Sequence, residues 1–191
     1  MTAGGDGGRS GDEPAWRRLS TDVVHKNRWF EVRQDSVIRP DGRQDVYAHV
    51  VAPSSVTVLA MDESRHVVVT RQWIYTHGSA QWRLPGGGVE PYDSGPLAAA
   101  RRELAEETGL RARGWEQLGL IHGAASVSNH VERIYLATGL SASEPALDPG
   151  EADLTVRRMP FDAVLGLVTS GDMPHAGSAH AVLAMALRGT P

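Results

Sequence analysis

Three carboxylates within one helical turn constrain this chain more than any other feature of its sequence. The segment from Arg102 to Leu110 reads RELAEETGL. In a helix, Glu103, Glu106 and Glu107 stand at positions i, i+3 and i+4, so they share one face and repel one another. Water or a cation must neutralise such a face, and Mg²⁺ commonly combines carboxylates with substrate phosphates. The segment therefore predicts a metal site that handles phosphate.

A run of three glycines, Gly86 to Gly88, precedes this helix. Glycines permit backbone conformations that other residues avoid, and they let a phosphate or a metal approach the main chain. Alone, the run is more typical of a tight connection without a ligand. The acidic segment alone could be the solvated face of an ordinary amphipathic helix that ends at Gly109. Together, the two features favour the metal site.

Charge and composition exclude several classes of function. The formal net charge is −4, which gives no electrostatic basis for binding nucleic acid or an anionic membrane. The absence of cysteine excludes disulfides and thiolate chemistry. The N-terminal residues lack the apolar core of a secretory signal, and the apolar stretches are too short to span a bilayer. We therefore expect a cytoplasmic protein with a small-molecule partner.

The element pattern predicts a disordered tail at 1–15 and a single domain at 16–191, with N-terminal strands at 16–52. Strands are predicted at 29–39, 44–51, 56–61, 67–72, 116–121, 131–137 and 154–159. The turn at 40–43 predicts that the strands at 29–39 and 44–51 pair. The turn at 62–65 likewise predicts a pair between the strands at 56–61 and 67–72. Helices are predicted from a Ser94 cap to Gly109, at 161–169 and at 178–187. Strands around a helix, followed by terminal helices, predict a mixed sheet between helical layers.

The acidic segment also resembles the signature of the Nudix hydrolase family, G-x5-E-x7-R-E-U-x-E-E-x-G-U, where U is aliphatic. RELAEETGL matches every specified position of its second half. In the first half, counting from Gly87 places Asp93 at the glutamate position and leaves one extra residue before Arg102. Counting from Gly88 restores the spacing but places Ser94 at the acidic position. The glutamate of the signature is therefore either replaced by the shorter Asp93, with one residue inserted after it, or replaced by a residue that is not acidic.

The flanking segments are similar to a narrower group, the ADP-ribose pyrophosphatases. VVVTRQW at 67–73 and WRLPGG at 82–87 resemble their V-R-Q-Y/W and W-E-L-P-A-G segments, although Arg83 replaces the usual acid. Residues 27–37 are similar to their N-terminal strands, so the resemblance extends over about residues 20–185. It implies the α/β/α sandwich of Nudix domains, with a mixed sheet preceded by antiparallel N-terminal strands.

The resemblance implies a role for each residue of the acidic segment. The carbonyl of Gly86 would bind the metal beside Glu103 and Glu107, while Glu106 would coordinate it or a second ion. Mg²⁺ is the expected ion, with Mn²⁺ as the alternative. Arg102 would orient the glutamates by ion pairing, which keeps carboxylates charged and in place before a metal arrives. The competing interpretation is that Arg102 is an exposed helix arginine that contributes little to stability.

The implied reaction is attack of water on a diphosphate, helped by the metal and by a general base. Relatives supply a glutamate from a loop beyond the signature, and Glu132 is our candidate. His130 is the alternative in a shifted register, and Glu151 is a further acid. The competing interpretation of Glu132 is a solvated carboxylate at a strand end.

Further residues are candidates for contacts with the substrate. Arginines and aromatic rings can bind phosphate and stack on a base, although Trp73 could equally anchor a core or an interface. The candidate substrate-binding residues are Arg71, Trp73, Tyr75, Arg83 and Gly87.

The resulting hypothesis is a Mg²⁺-dependent Nudix hydrolase that cleaves ADP-ribose or a nucleotide sugar. One alternative is a Nudix pyrophosphatase for a prenyl diphosphate or a nucleoside triphosphate metabolite. A second is a Nudix-fold sensor that binds nucleotide without turnover, which the irregular segment before Arg102 motivates. Relatives commonly form homodimers through their N-terminal strands, and Trp29 and Phe30 would suit such an interface.

Overall fold

The computed structural model describes residues 15–147 and 149–188, so nearly all of the predicted tail lies outside the described residues. The chain separates into two compact units. The N-terminal unit extends to Val51 and includes Ser126–Ser128, and the C-terminal unit comprises Ala52–Ala125 and the residues from Asn129 onwards. The single domain predicted for 16–191 stays a prediction.

The N-terminal unit is an antiparallel sheet of three strands in the order β1-β2-β3. These strands are Arg17–Lys26, Glu31–Ile38 and Gln44–Val51. The turn predicted at 40–43 joins the last two, with the Arg39 amide donating to the Arg43 carbonyl at 2.9 Å. The antiparallel N-terminal strands are confirmed.

The C-terminal unit contains seven strands and three α-helices among its described residues. The strands are β4 Ser55–Ala60, β5 His66–Ile74, β6 Ser79–Arg83, β7 Gly86–Gly88, β8 Leu110–Ile121, β9 Glu132–Ala142 and β10 Thr155–Pro160. The helices are α1 Pro96–Thr108, α2 Phe161–Ser170 and α3 Ala176–Leu187. All three predicted helices are confirmed, and no described helix has the length and apolar character needed to cross a membrane.

The strands of this unit form two sheets, ordered β7-β4-β9-β8 and β10-β5-β6. Strands β4 and β9 are parallel while β7 and β8 run antiparallel to their neighbours, so the predicted mixed sheet is confirmed. The predicted pairing of β4 with β5 is wrong. Strand β4 has β7 and β9 on its two edges, which leaves β5 only the isolated bridge between Met61 and Val67.

The α/β/α layering follows from strands that are buried on both faces. Val56 and Val58 of β4 pack in one cluster with Leu104 of α1. Leu59 of the same strand faces the opposite way and packs in a second cluster with Val164 of α2 and with α3. Each such side chain contributes roughly 1.5–3 kcal/mol when it is fully buried. The predicted sandwich is therefore confirmed.

Helix α1 carries the acidic segment, and its ends differ slightly from the prediction. Gly95, rather than Ser94, is the N-terminal cap, and no side chain donates or accepts a capping hydrogen bond there. Pro96 occupies the first helical position, where its fixed φ and missing N–H are tolerated. Gly109 ends the helix in the left-handed conformation, with φ 65°, as predicted.

Candidate active site

Helix α1 presents two carboxylates to the glycine strand β7. Glu103 and Glu107 are only 7% and 6% exposed. The amide of Gly86 donates to Glu107 Oε2 at 3.0 Å. A Cβ atom on Gly87 would overlap the carboxylate of Glu103, so a larger residue there would displace this side chain from its position.

Burial opposes the charge on both acids. It raises the pKa of Glu103 to about 7 and the pKa of Glu107 to about 8, and the charges of Glu103 and Glu151 further raise the pKa of Glu107. Arg102 opposes the shift at Glu103, and the Gly86 amide opposes it at Glu107. Two acids in so unfavourable a position indicate a site built for a cation or for proton transfer.

Arg102 connects the acids of this region. Its Nη1 donates to Glu103 Oε1 and to Glu106 Oε2, both at 2.9 Å. Its Nη2 donates to the carbonyl of Gly88 and to Asp93 Oδ2, also at 2.9 Å. These contacts raise the pKa of Arg102, with the Asp93 hydrogen bond as the largest cause. The geometry is that of an arginine that orients carboxylates rather than of an exposed helix arginine.

Asp93 is the acid of the irregular segment. Its carboxylate, 5% exposed, forms a two-pronged pair with Arg102, which lowers the pKa of Asp93. Its Oδ2 also accepts from the amide of Glu90 at 2.9 Å. Asp93, although shorter than the glutamate of the signature, therefore reaches Arg102. The one residue inserted between them is accommodated in the turn at Ser94 and Gly95.

Glu132 begins β9 in an enclosed environment. Its carboxylate is 6% exposed, and Oε1 accepts a hydrogen bond from the hydroxyl of Thr57. His175 Nε2 lies 3.7 Å from the same oxygen. A Cβ atom on Gly177 would overlap this carboxylate. The interpretation of Glu132 as a solvated carboxylate is therefore wrong.

His175 is fixed by its own neighbours at the start of α3. Ser178 Oγ accepts from the amide of Leu84 at 2.9 Å and lies 3.0 Å from His175 Nδ1. The amide of Ser178 donates to His175 Nδ1 at 3.4 Å, so Nδ1 is an acceptor and the His175 proton lies on Nε2, on the side of Glu132. Burial lowers the pKa of His175, and the charge of Glu132 opposes this effect.

Sequence reasoning missed the four residues around Glu132, which are Thr57, His175, Gly177 and Ser178. They come from a distant strand and from a helix end, so no local spacing connects them. The only local signal is the small, polar run HAGS at 175–178, which suits a helix start.

The other two candidate bases, Glu151 and His130, act electrostatically on different residues. Glu151 raises the pKa of both Glu103 and Glu107, so its charge acts on the helix acids. His130 acts instead on His175, whose pKa it lowers.

The predicted substrate-binding residues lie in different places. Gly87 lies against the carboxylate of Glu103. Burial lowers the pKa of Arg83, and the charges of Glu132 and Glu107 oppose this effect. The guanidinium of Arg71 lies 5.8 Å from the centre of the Trp82 ring. Trp73 and Tyr75, at the end of β5 and just beyond it, are 55% and 90% exposed, so Trp73 does not anchor a core.

Comparison with known families identifies this arrangement. The model of the NUDIX domain matches residues 51–180, which include the glycine strand, helix α1 and the surroundings of Glu132. The chain belongs to the Nudix family. A second model, the nucleoside diphosphate sugar hydrolase N-terminal domain, matches residues 16–50 of this Nudix protein.

Individual relatives extend the similarity over most of the chain. An ADP-ribose pyrophosphatase of Mycobacterium tuberculosis is 31% identical over 91% of this chain and 84% of its own length. A CMP-5'-(N-acetyl-N-hydroxy-3-aminopropyl)phosphonate hydrolase of Streptomyces rubellomurinus is 30% identical over 89% of this chain and 82% of its own. The crystal structure of an ADP compounds hydrolase has the same fold, with a TM-score of 0.79, 22% identity, and coverage of 91% and 93% of the two chains. The protein is a Nudix hydrolase.

Nudix hydrolases generally use divalent metal ions, and the donors of this Nudix site suit one. Within 15–147 and 149–188, no group of three or more histidine or acidic side chains is arranged around a common metal position. Glu106 is turned to Arg102 with its side chain 39% exposed, which separates it from the buried pair. Two carboxylates and main-chain oxygens, completed by phosphate oxygens of a substrate, are the ligands that a hard cation such as Mg²⁺ takes.

Proposed function

We propose that this Nudix hydrolase cleaves the pyrophosphate of ADP-ribose or of a nucleotide sugar. The observation that carries the proposal is the buried pair Glu103 and Glu107, held against the glycine strand and oriented by Arg102. The match of residues 16–50 to a nucleoside diphosphate sugar hydrolase domain supports the substrate class, as does the similarity to an ADP-ribose pyrophosphatase.

The ion in this proposal is Mg²⁺, with Mn²⁺ as the alternative. Glu103, Glu107 and the carbonyl of Gly86 would hold it, and Glu106 would serve it or a second ion. When bound, the ion would neutralise charge on the phosphoryl oxygens and help to activate the attacking water. Arg102 keeps Glu103 in place through its hydrogen bond at 2.9 Å.

Among the three candidate bases, we favour Glu151 over Glu132 and His130. The charge of Glu151 acts on both helix acids, so this carboxylate belongs to the same electrostatic site. Glu132 is instead engaged by Thr57 and enclosed by α3. Arg71, Trp73 and Tyr75 are proposed to contact the nucleoside part of the substrate.

A substrate panel tests the proposal. Release of phosphate would be followed in a phosphatase-coupled assay, with Mg²⁺, for ADP-ribose and nucleotide sugars. For a prenyl diphosphate and nucleoside triphosphates, whose terminal phosphates the coupling phosphatase would itself remove, the products would be separated by chromatography without that phosphatase. Fastest turnover of ADP-ribose or a nucleotide sugar is expected. A preference for the prenyl or triphosphate compounds would favour the alternative pyrophosphatase. No turnover, with nucleotide affinity retained, would favour a sensor.

We also propose that the protein forms a homodimer through the N-terminal sheet. Every residue of β1 is exposed, and Trp29 and Phe30 are 62% and 38% exposed. Such apolar exposure is typical of an interaction surface. The cytoplasmic location and the absence of nucleic-acid and membrane partners stay predictions.

A further inference from the structure

The segment between β6 and β7 carries the chain from one sheet of the C-terminal unit to the other. The β5–β6 ladder ends at Arg83, which stands opposite Thr70, so the next residue, Leu84, lies beyond it. Leu84 is buried, and a buried amide must find an acceptor. Ser178 Oγ of α3 accepts this hydrogen bond at 2.9 Å. A side chain from a helix 94 residues away therefore holds the crossing between the two sheets.

Two residues further along, the same segment reaches the proposed metal site. The amide of Gly86 donates to Glu107 Oε2 at 3.0 Å, and the carbonyl of Gly86 is itself a proposed metal ligand. The intervening Pro85 accepts a hydrogen bond from an amide of β4 at 2.8 Å. Because the ring of Pro85 fixes its φ, a displacement of Leu84 is passed on to Gly86. The contact with Ser178 therefore bears on the position of both proposed ligands.

Ser178 is in turn held by His175, the residue that caps α3. His175 Nδ1 accepts from the amide of Ser178 at 3.4 Å and lies 3.0 Å from its hydroxyl oxygen. Because Nδ1 is an acceptor, the hydroxyl proton is directed at it, which leaves the lone pairs of Ser178 Oγ for the amide of Leu84. Ser178 is fully buried, so its hydroxyl cannot turn to water instead. The histidine therefore fixes the direction of the serine acceptor.

The start of α3 is also anchored to the strand that pairs with the glycine strand. Thr57 of β4 stands opposite Gly86 in the β4–β7 ladder, and its hydroxyl donates to Glu132. The carboxylate of Glu132 lies 3.7 Å from His175 Nε2. These contacts leave the glycine strand opposite Gly86 and return, through the start of α3, to the segment just before it. The path fixes α3 relative to the proposed metal site and not only to the core.

We propose that Ser178 is a positioning residue of the metal site, that it acts through the amide of Leu84, and that His175 keeps it in the required orientation. This inference rests on the proposed function and deepens it, because Glu107 and the Gly86 carbonyl are proposed ligands. Neither residue of α3 touches the metal or the substrate. Residues that hold metal ligands in place contribute about 10- to 100-fold to metal affinity. Loss of the Ser178 hydroxyl should therefore weaken Mg²⁺ binding.

Calorimetry on the full chain measures this effect. Mg²⁺ would be titrated into the wild type, Ser178→Ala and Val182→Ala at a temperature where all three are folded. Val182→Ala is the matched control, because Val182 lies one turn further along α3 and is equally buried but has no hydrogen-bonding side chain. We expect Ser178→Ala to lower Mg²⁺ affinity about tenfold, the lower end of the range for residues that orient metal ligands. Val182→Ala should lower the thermal midpoint and leave Mg²⁺ affinity unchanged.

Amide exchange followed by NMR separates a positioning role from general destabilisation. In metal-free Ser178→Ala, the amide of Leu84 should exchange at least about tenfold faster relative to that of Ile134, which is buried in β9. In Val182→Ala, the exchange of both amides should accelerate together, as it does when the whole unit unfolds more often.

Substitutions of His175 test its supporting role. His175→Asn keeps a capping side chain that can accept from the amide of Ser178, whereas His175→Ala removes it. We expect Mg²⁺ affinity to fall severalfold in His175→Ala and to recover most of that loss in His175→Asn. Equal losses in the two variants, or no loss in either, would overturn the supporting role. Should Ser178→Ala fail to fold, these two variants also decide the role of Ser178.

Unchanged Mg²⁺ affinity in Ser178→Ala, or an equal loss in Val182→Ala, would overturn the assignment of Ser178. Exchange of the Leu84 amide at the wild-type rate in Ser178→Ala would do the same. If the wild type hydrolyses the substrate panel and Ser178→Ala binds Mg²⁺ equally well, this inference is refuted and the proposed function stands. Failure of the wild type to take up Mg²⁺ would instead contradict the proposed function and this inference together.

Discussion

At the scale of single residues, Glu103 and Glu107 are the acids on which catalysis should depend. Each is buried where its charge is unfavourable, and each is kept in place by one defined donor, Arg102 or the Gly86 amide. Glu106, from the same helical turn, is more exposed and paired with Arg102. The three neighbouring glutamates therefore have different environments, and substitutions should separate them.

Replacing Glu107 by glutamine should abolish most of the activity and leave the fold intact. The substitution replaces a carboxyl group whose charged form burial disfavours, so the thermal midpoint of the metal-free protein should stay the same or rise. Turnover should fall by at least about 100-fold, because even groups that only orient a metal ligand contribute up to about that factor. Near-normal phosphate release from this variant would refute the assignment.

Replacing Arg102 by glutamine should lower turnover by about 10- to 100-fold, the range for residues that orient metal ligands. The reason is that Arg102 holds Asp93, Glu103 and Glu106 together. Arg101→Gln is the matched control, since this neighbouring side chain is exposed and lies over the Trp115 ring instead. Equal effects of the two substitutions on kcat would contradict the orienting role.

At the scale of elements, helix α1 could be predicted from sequence because its information is local. Glutamates at helical spacing, Pro96 at the start and Gly109 at the end lie within one short segment. The environment of Glu132 could not be predicted in this way. Its partner Thr57 is 75 residues away, and α3 supplies the rest, so only tertiary packing brings them together.

The predicted pairing of β4 with β5 was wrong for a related reason. The turn at 62–65 correctly reverses the chain, but a turn determines only the ends of the two strands. The edges of β4 are taken by β7 and by β9, which are distant in sequence. Their continuous apolar runs could therefore locate both strands without revealing their partners.

The start of α3 provides a test at this scale. Gly177→Ala places a Cβ atom against the fixed carboxylate of Glu132, whereas Gly166→Ala in α2 places one in open space. Alanine stabilises a helix interior by roughly 0.5–1 kcal/mol relative to glycine. Gly166→Ala should therefore raise the thermal midpoint, and Gly177→Ala should fail to do so or should lower it. Equal stabilisation in both variants would show that Glu132 is not confined as described.

At the scale of the whole molecule, the exposed apolar residues of the N-terminal sheet predict self-association. Trp29→Ser should shift the protein from dimer towards monomer, measured by light scattering after size-exclusion chromatography over a range of concentrations. Tyr92→Ser is a useful control, because this aromatic residue is 74% exposed but lies in the C-terminal unit. A wild-type chain that stays monomeric at every concentration would contradict the proposed homodimer.

The whole account depends on a divalent ion at the buried acid pair of α1, so the most direct test is a calorimetric titration with Mg²⁺. It would compare the wild type with the double variant Glu103→Gln/Glu107→Gln, each with and without a non-hydrolysable ADP-ribose analogue. We predict saturable Mg²⁺ uptake by the wild type, strengthened by the analogue, and its loss in the double variant. No uptake by the wild type under either condition, or equal uptake by both proteins, would contradict the account.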